Sequence, residues 1–512
     1  MSKTKINNKK AYNERTGEYS SKSAKTAEQA VSVVKTESGA EKVCGIYKKC
    51  SGCQLMNLTY SEQLSLKQSM IVKLYGGYCH VDEIIGMENP YHYRNKASEA
   101  FKLTYPNKRI ISGVYQSKTG AVIPCDGCLL ENKRSHEIIK SFKKLMPKYK
   151  LLPYDEYSHK GLIRHVMVRR ADVTGEYMVV IVTSSPIFPK GKELAAELVL
   201  MYPEIKTVVQ NISTVQDKMM LGEQEKVLFG EGTIKDKLLG AEFIISPRSF
   251  YQVNHIQTEK LYSKAIEFAD ISKDDTVLDC YCGIGTIGII ASRYAGEVMG
   301  VESNPAAVRD AIKNARLNNV KNARFIAMDA GKMLSELAMN KVRADIAILD
   351  PARAGCDKAA LEALIKIGPK RIVYVSCNPE TQIRDVKTLI SAGYRVKKVQ
   401  GVDMFPFTKH VETVCLLSKL NAKQHIEINL DMDELDLTDA EKKATYQEIK
   451  DYVREHSGLK VSSLYIAQVK QKCGIIEREN YNKPKSEDAK QPQCPPDKEK
   501  AIKEALTHFG MI

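Results

Sequence analysis

Hydrophobic and polar positions follow two different rhythms along this chain, and the rhythm changes near residue 257. From about Tyr93 to Arg248, apolar residues recur in short alternating runs such as "HVMVRRADV" and "YMVVIVTS", separated by turn-forming residues. Alternation at period two predicts strands. From Gln257 onward, strand-length apolar runs alternate with stretches of helical spacing. "TVLDCYCGIGTIGIIASRYAG" reads as strand, glycine turn and helix, and "EVMGVESNPAAVRDAIKNARLNN" repeats strand then helix. "ARFIAMDA", "ADIAILDPAR", "RIVYVSCNPE" and "HVETVCLLSKL" are further strands. This alternation predicts an α/β fold with a mostly parallel sheet covered by helices on both faces.

The flanks read differently. Residues 1–43 are rich in Lys, Ser, Thr and Glu without a sustained apolar period, which predicts a disordered basic tail. "YSEQLSLKQSMIVKLYGG" predicts a helix closed by Gly76 and Gly77. After Leu420, "DMDELDLTDAEKKATYQEIKDYVREHSG" predicts a charged amphipathic helix ending at Gly458. "SSLYIAQVKQKCG" follows as a second apolar-periodic stretch, and then comes the polar "NYNKPKSEDAKQPQCPPDK". Residues 420–512 therefore form a helical extension, whose pattern suits an RNA-binding add-on and a plain interaction appendage equally.

Composition narrows the class. A chain of 512 residues has room for several domains, and 77 basic against 62 acidic residues leave a formal charge of +15. That balance favours a polyanionic partner, although a basic surface also serves solubility. The N-terminus "MSKTKINNKKAYNERTG" carries no apolar signal core, and no apolar run is long enough to span a bilayer. The expectation is a cytoplasmic protein with no membrane partner and no obligate protein partner. Its 13 cysteines are then read as thiols, metal ligands or catalysts rather than a disulfide framework.

Candidate chemistry gathers at strand ends. Gly283, Gly285 and Gly288 form a G-x-G-x-x-G turn, which suits a dinucleotide or an S-adenosylmethionine site. Glu302 ends the next strand, where a carboxylate can accept from both ribose hydroxyls. Asp329 closes "RFIAMD", placed to accept from an adenine amino group, and Asp350 closes "ADIAILD". Cys377 closes "RIVYVS" directly before Asn-Pro. A packing thiol belongs inside a strand; one at the exit lies where open α/β sheets collect their chemistry.

Hydride transfer needs no cysteine there, but methylating a pyrimidine carbon does. C5 of uracil is too weakly nucleophilic to attack a sulfonium methyl group. A thiolate added at C6 turns the ring into an enolate whose C5 takes the methyl, and a base then removes the C5 proton. In "DMFPFTKHVETVCLL", His410 and Glu412 are two apart and would share a strand face. Either can serve as the base; Glu412 is preferred for its pairing with Cys377.

A second cysteine group lies upstream: Cys44, Cys50 and Cys53, with Cys125 and Cys128 further on. Four thiolates complete a [4Fe–4S] site. Cys50 and Cys53 with Cys125 and Cys128 would equally make a two-knuckle zinc site. For RNA, "YHYRNKASEAF" mixes aromatic and basic residues, and "GLIRHVMVRR" adds Arg164, His165, Arg169 and Arg170. Aromatics stack on unpaired bases while cations take phosphates.

Taken in order, "SPRSFYQVN", "LDCYCGIGTIG", "GVESNPAAV", "LDPARAGCD", "VYVSCNPET" and "VQGVDMFPFTKHVE" closely resemble the bacterial RNA (uracil-5-)-methyltransferases, in particular those acting on 23S ribosomal RNA. The resemblance covers about residues 44–419. It implies a Rossmann-like S-adenosylmethionine-dependent methyltransferase domain over 250–419, with Cys377 as nucleophile and Glu412 as base. It implies cofactor contacts from Gln252, Tyr281, Glu302, Asp350 and Asp329, beside the glycines Gly283 and Gly285. It implies a β-rich iron–sulfur and RNA-binding domain over 44–249, within which residues 61–92 pack on the catalytic domain. It also selects Cys44, Cys50, Cys53 and Cys128 as ligands of a [4Fe–4S] cluster, because "GCLLEN" matches the family's fourth-ligand segment.

The sequence departs from that family in places. The 43 residues before Cys44 are too few and too polar for the N-terminal β-barrel module the family often carries. Ala352 stands where a second proline is usual, and Phe407 where His is common. Arg353 lacks the ring that amino-directed methyltransferases stack on the base, and "LDPAR" lacks the Pro-Cys strand end of RNA cytosine-C5 enzymes. The expected activity is methyl transfer to C5 of a uridine in 23S ribosomal RNA. A tRNA uridine, or a non-catalytic RNA-binding or chaperone role, is the alternative.

Overall fold

Strands that are apolar at nearly every position need cover on both faces, and they build the larger of two main sheets. All four residues of Ile346–Leu349 are buried, as are all but the first of Arg371–Ser376. The computed structural model describes residues 44–50, 52–116, 119–125, 127–214, 221–419, 446–473, 493–509 and 511. The tail read over 1–43 and the acidic start of the helix read after Leu420 lie outside them.

The larger sheet has eight strands in the order Val81–Ile85, Tyr394–Val402, Glu412–Lys419, Arg371–Ser376, Ile346–Leu349, Thr276–Cys280, Glu297–Glu302 and Ala323–Ala327. Its neighbours run parallel except around Glu412–Lys419, which lies antiparallel between Arg371–Ser376 and Tyr394–Val402. Strand order turns back beside Thr276–Cys280, so a crevice opens above the carboxyl ends of that strand and Ile346–Leu349, the usual ligand position in such sheets. Because Glu412–Lys419 runs the other way, its first residue meets the last residues of its parallel neighbours.

The edge strand Val81–Ile85 comes from far upstream and is preceded by the helix Tyr60–Tyr75. Thr59 and Glu62 close a capping box at the helix start, and Gly76 caps its end. Ile71 and Tyr75 pack into the core beneath the sheet. Lys67, fully buried, donates to Asp403 at 2.6 Å and to the Phe405 carbonyl at 3.1 Å. Removing either partner would leave a buried charge unpaired, at a cost of about 3–5 kcal/mol.

The second sheet has seven strands, from Val122–Pro124 through Ile110–Tyr115, Lys96–Leu103, Ile163–Arg170, Tyr177–Thr183 and Ile205–Ile212 to Gln224–Phe229. Two helices cover one face, Lys133–Lys148 and Gly191–Met201, and the strand pattern read from the sequence did not anticipate them. The first sits in a lysine-rich stretch whose buried residues, Ile138, Ile139, Phe142, Leu145 and Met146, recur at helical spacing. The second is the crossover that the parallel pair Tyr177–Thr183 and Ile205–Ile212 requires.

The other face looks toward the larger sheet. There Met178 and Val180 share a core with a hairpin, Ile234–Leu238 and Ala241–Ile245, and with the helix His255–Ala269. One core thus continues across residues 249 and 250. Met1–Asn421 and Ala422–Ile512 separate as two compact units. In the second, helices Tyr446–Ser457, Ser463–Lys472 and Pro496–His508 enclose Ile449, Val453, Ile466, Val469, Ile502 and Leu506. The third of these helices was not anticipated, since its pattern begins inside a polar segment.

Candidate active site

The glycine turn is built from left-handed residues. Tyr281 (φ 67°), Gly283 (φ 55°) and Gly285 (φ 82°) turn the chain from Thr276–Cys280 into the helix Thr286–Ala291. The glycines have different duties. A Cβ on Gly283 would meet nothing within 4 Å, whereas one on Gly285 would lie 3.1 Å from the Phe325 ring, and one on Gly288 would lie 2.7 Å from Asp279. Gly283 therefore faces open space, and the other two permit close packing. Above the turn, one Glu302 oxygen accepts from the Gly283 N–H at 3.2 Å and the other from the Asn304 N–H at 2.8 Å. These two hydrogen bonds fix the carboxylate at the end of its strand, beside the glycine turn.

Three expected cofactor residues acquire more exact positions. Asp329 does not close a strand: Ala323–Ala327 ends two residues earlier, and the exposed Asp329 caps the helix Ala330–Met339 by accepting from the Lys332 N–H at 3.1 Å. A carboxylate so close to a strand end is captured by the free N–H groups of the next helix. The Tyr281 hydroxyl is turned into the core beside Cys356. Gln252 is buried; its carbonyl accepts from Asn95 Nδ2 at 3.1 Å, and its side chain reaches the Tyr262 hydroxyl. Phe250, Gln252, Tyr262 and Thr286 line a small cleft beside the glycine turn.

Cys377 stands at the next corner. Asn378 caps the helix Pro379–Ser391, with Pro379 at its first position, so the strand must end at Ser376 and the thiol falls at the exit. Ser376 is paired with Thr413 in the antiparallel neighbour, which sets Glu412 at the same end of the sheet. Glu412 is only 3 % exposed. Burial, and then the charge of Asp350, push its carboxyl up to about 8, against a lowering pull from Arg353. Burial, Glu412 and Asp350 push the Cys377 thiol up to about 11, while Arg353 opposes them both by charge and by a hydrogen bond. Burial alone raises Asp350, to about 7. Two protonatable acids, a thiol and one guanidinium thus share a pocket at the sheet edge. His410 precedes the strand; burial and then Arg353, Lys409 and Lys67 push it down to about 4, so it is neutral at pH 7.

Cys44, Cys50, Cys53 and Cys128 occupy one neighbourhood. Burial pushes the Cys53 thiol up to about 12, and the charges of Cys128, Cys50 and Cys44 add to the rise. Burial likewise raises Cys50, with Cys128 and Cys44 again among its charged neighbours. Leu130 N–H donates to the Cys128 sulfur at 3.4 Å. Cys125 is pushed up to about 12 by burial, and Cys128 is the only other thiol felt there among the main influences. Among the described residues, no three cysteine sulfurs lie within 4.8 Å of one another.

Two residues of the pocket escaped the sequence reading. Arg353 was weighed only for the ring it lacks, although "DPAR" places a cation three residues past Asp350. Tyr262, buried in a helix, feels Asp350 and Glu412 and has its hydroxyl within reach of Thr286 and Gln252. It looks like a core aromatic because a helical tyrosine in an apolar stripe carries no signal of its partners.

Known proteins bear on this geometry. Residues 59–420 match the family model described as tRNA (Uracil-5-)-methyltransferase. An uncharacterized RNA methyltransferase of Oceanobacillus iheyensis is 41% identical over 384 residues, covering 74% of this chain and 83% of its own length. One of Clostridium tetani is 40% identical over 388 residues, covering 75% and 84%. Among solved structures, the Pyrococcus abyssi tRNA (uracil-54, C5)-methyltransferase in complex with S-adenosyl-L-homocysteine is 28% identical. It aligns with a TM-score of 0.61 over 72% of this chain and 86% of its own. The match runs from the upstream helix at Tyr60 through the glycine turn and Cys377 to the end of the Glu412 strand, and on that extent the chain belongs to the tRNA (uracil-5-)-methyltransferase family.

Proposed function

We propose that this enzyme methylates C5 of a uridine in 23S ribosomal RNA, through a covalent bond between Cys377 and C6 of the ring. The observation that carries the reading is the meeting of Cys377, Glu412 and Arg353 at one end of two antiparallel strands. S-adenosylmethionine, when bound, supplies the methyl cation equivalent to C5 and leaves as S-adenosylhomocysteine. The chain's groups suit that donor: Gly283 faces open space, Glu302 is fixed above it, Gln252 lines the cleft, and Asp350 lies near the Tyr262 hydroxyl that also lines it. Asp329 sits beyond Glu302 as an exposed carboxylate.

Cys377 gives its proton to solvent and forms the S–C6 bond, and the ring π electrons move onto O4 as an enolate. C5 then forms its bond to the methyl carbon. Glu412, as carboxylate, takes the C5 proton; the C5–C6 double bond re-forms and the thiolate leaves. Its raised carboxyl value makes Glu412 a stronger base than a solvated glutamate. Arg353 stabilises both anions on which the cycle depends.

Cys44, Cys50, Cys53 and Cys128 are the residues that would hold a [4Fe–4S] cluster. Their mutual proximity supports this. Its place beside residues 91–94 supports a part in shaping an RNA-binding domain over 44–249. The preference for ribosomal RNA over tRNA rests on the family resemblance, chiefly on this quartet. A cytoplasmic location follows from the substrate; among the described residues no helix is long and apolar enough to cross a membrane.

The test supplies the purified protein with isotopically labelled S-adenosylmethionine and unmodified 23S ribosomal RNA or tRNA, followed by nucleoside mass spectrometry. Label in 5-methyluridine from ribosomal RNA is expected. Label from tRNA alone would move the substrate, and label in 5-methylcytidine would overturn the chemistry.

A further inference from the structure

A pair of like charges stands face to face on the second sheet. Lys96 of Lys96–Leu103 is directly opposite Arg169 of Ile163–Arg170 in the antiparallel register. Directly opposed side chains share one face with Cβ atoms about 5 Å apart, and like charges so placed destabilise the pair. Their neighbours Ala97 and Val168 belong to the core under the two helices, so Lys96 and Arg169 point the other way, toward the larger sheet. Arg169 is buried and donates to the carbonyls of Ser246 and Ser249, at 3.2 and 2.9 Å. These acceptors are neutral.

Arg94 adds a third cation, felt at Lys96 together with Arg169. Among the described residues, no carboxylate lies within ion-pair distance of Lys96, Arg94 or Arg169, although the nearby Arg170 is paired with Asp172 at 3.2 Å. Burial first, and then Arg169 and Arg94, push the Lys96 ammonium down to about 8. Arg94 also faces the Cys53 thiol, so the uncompensated pair is Lys96 and Arg169; a half-buried ammonium opposite a buried guanidinium is costly unless an anion completes it.

Its location says which anion. The chain just before Lys96 is stitched to the segment lining the cleft: Asn95 N–H donates to the Val253 carbonyl at 2.9 Å, Asn95 Nδ2 to the Gln252 carbonyl at 3.1 Å, and Arg94 bridges Asn254. Phe250, 68 % exposed, stands in the same segment. We propose that Lys96 and Arg94, backed by the buried Arg169, form a binding site for a backbone phosphate of the substrate RNA, holding the strand beside the cleft that receives the target base. The proposal rests on the reading of this chain as an RNA methyltransferase and adds a fixed contact point for the polynucleotide. The phosphate supplies the missing negative charge, and the strand pairing supplies a rigid mount.

The experiment compares the full chain with Lys96→Gln. Binding of fluorescently labelled 23S ribosomal RNA transcript fragments is measured at several salt concentrations, and melting temperatures are measured without RNA, with and without inorganic phosphate at constant ionic strength. The site predicts that Lys96→Gln binds RNA several-fold more weakly and lowers the slope of log affinity against log salt by about 0.7–0.9, the signature of one lost phosphate contact. It also predicts an RNA-free melting temperature equal to or above that of the parent, because a repulsion with Arg169 is removed, and less stabilisation by phosphate. A merely structural lysine would lower the melting temperature on replacement. Unchanged affinity and slope in Lys96→Gln, with the parent binding well, would overturn this site alone. A parent chain that binds no RNA would overturn the site and the functional reading together.

Discussion

The chain holds thiols in two neighbourhoods to which different roles are proposed, and they differ less in burial than in company. Burial is the main reason both Cys377 and Cys53 sit high, at about 11 and about 12. Around Cys53 the next influences are other thiols, Cys128, Cys50 and Cys44. Around Cys377 they are two carboxyl groups and a guanidinium. Thiols that crowd one another are relieved when metal charge arrives, which is what ligands require. A thiol between a cation and a proton acceptor is equipped to attack and to be released. Side-chain type alone therefore says little; the proposed roles rest on the charges within reach.

Four substitutions break or sharpen this contrast, in descending order of effect. Cys377→Ala should abolish methyl transfer, by at least about a thousandfold, while leaving iron content and melting temperature near those of the parent. Radiolabel transfer, metal analysis and thermal melting read all three. Cys128→Ser should strip iron from anaerobically purified protein and lower its melting temperature, whereas Cys125→Ser should retain the iron. Equal loss in both would point to a different ligand set. Arg353→Gln should act through pH. Arg353 lowers both Cys377 and Glu412, so its removal raises both. The rise of single-turnover rate with pH should then move upward by about one unit, cutting the rate at pH 7.5 while a pH 9 assay recovers much of it. A uniform loss at every pH would mean that Arg353 acts by contact with substrate instead.

Much of this site could be read from the chain because its residues sit at strand ends marked by a change of period. Cys377 is announced by the helix-starting Asn378-Pro379 that follows it, and Glu302 by the strand it closes. Asp329 was misplaced by two residues because nothing in "RFIAMDA" marks where pairing stops. Arg353 and Tyr262 gain their meaning only from groups distant in sequence. The helices Lys133–Lys148 and Gly191–Met201 were missed because a strand-rich context biased the reading of short apolar runs, although Asn132 caps the first through Ser135. The upstream cysteines were legible by spacing as candidate ligands of either a cluster or a zinc ion, and the choice of Cys128 over Cys125 came from the likeness of "GCLLEN" to the family's fourth-ligand segment.

The antiparallel pairing of Ser376 with Thr413 carries a consequence for how such an enzyme can diverge. Cys377 and Glu412, the proposed nucleophile and base, are one residue beyond, and one residue before, the two members of that rung, so they travel as a pair. Loops elsewhere can lengthen or drift over generations without parting them. A single inserted residue inside either strand would turn every later side chain to the opposite face of the sheet. Lineages can thus exchange the surfaces that choose an RNA while inheriting this rung unaltered.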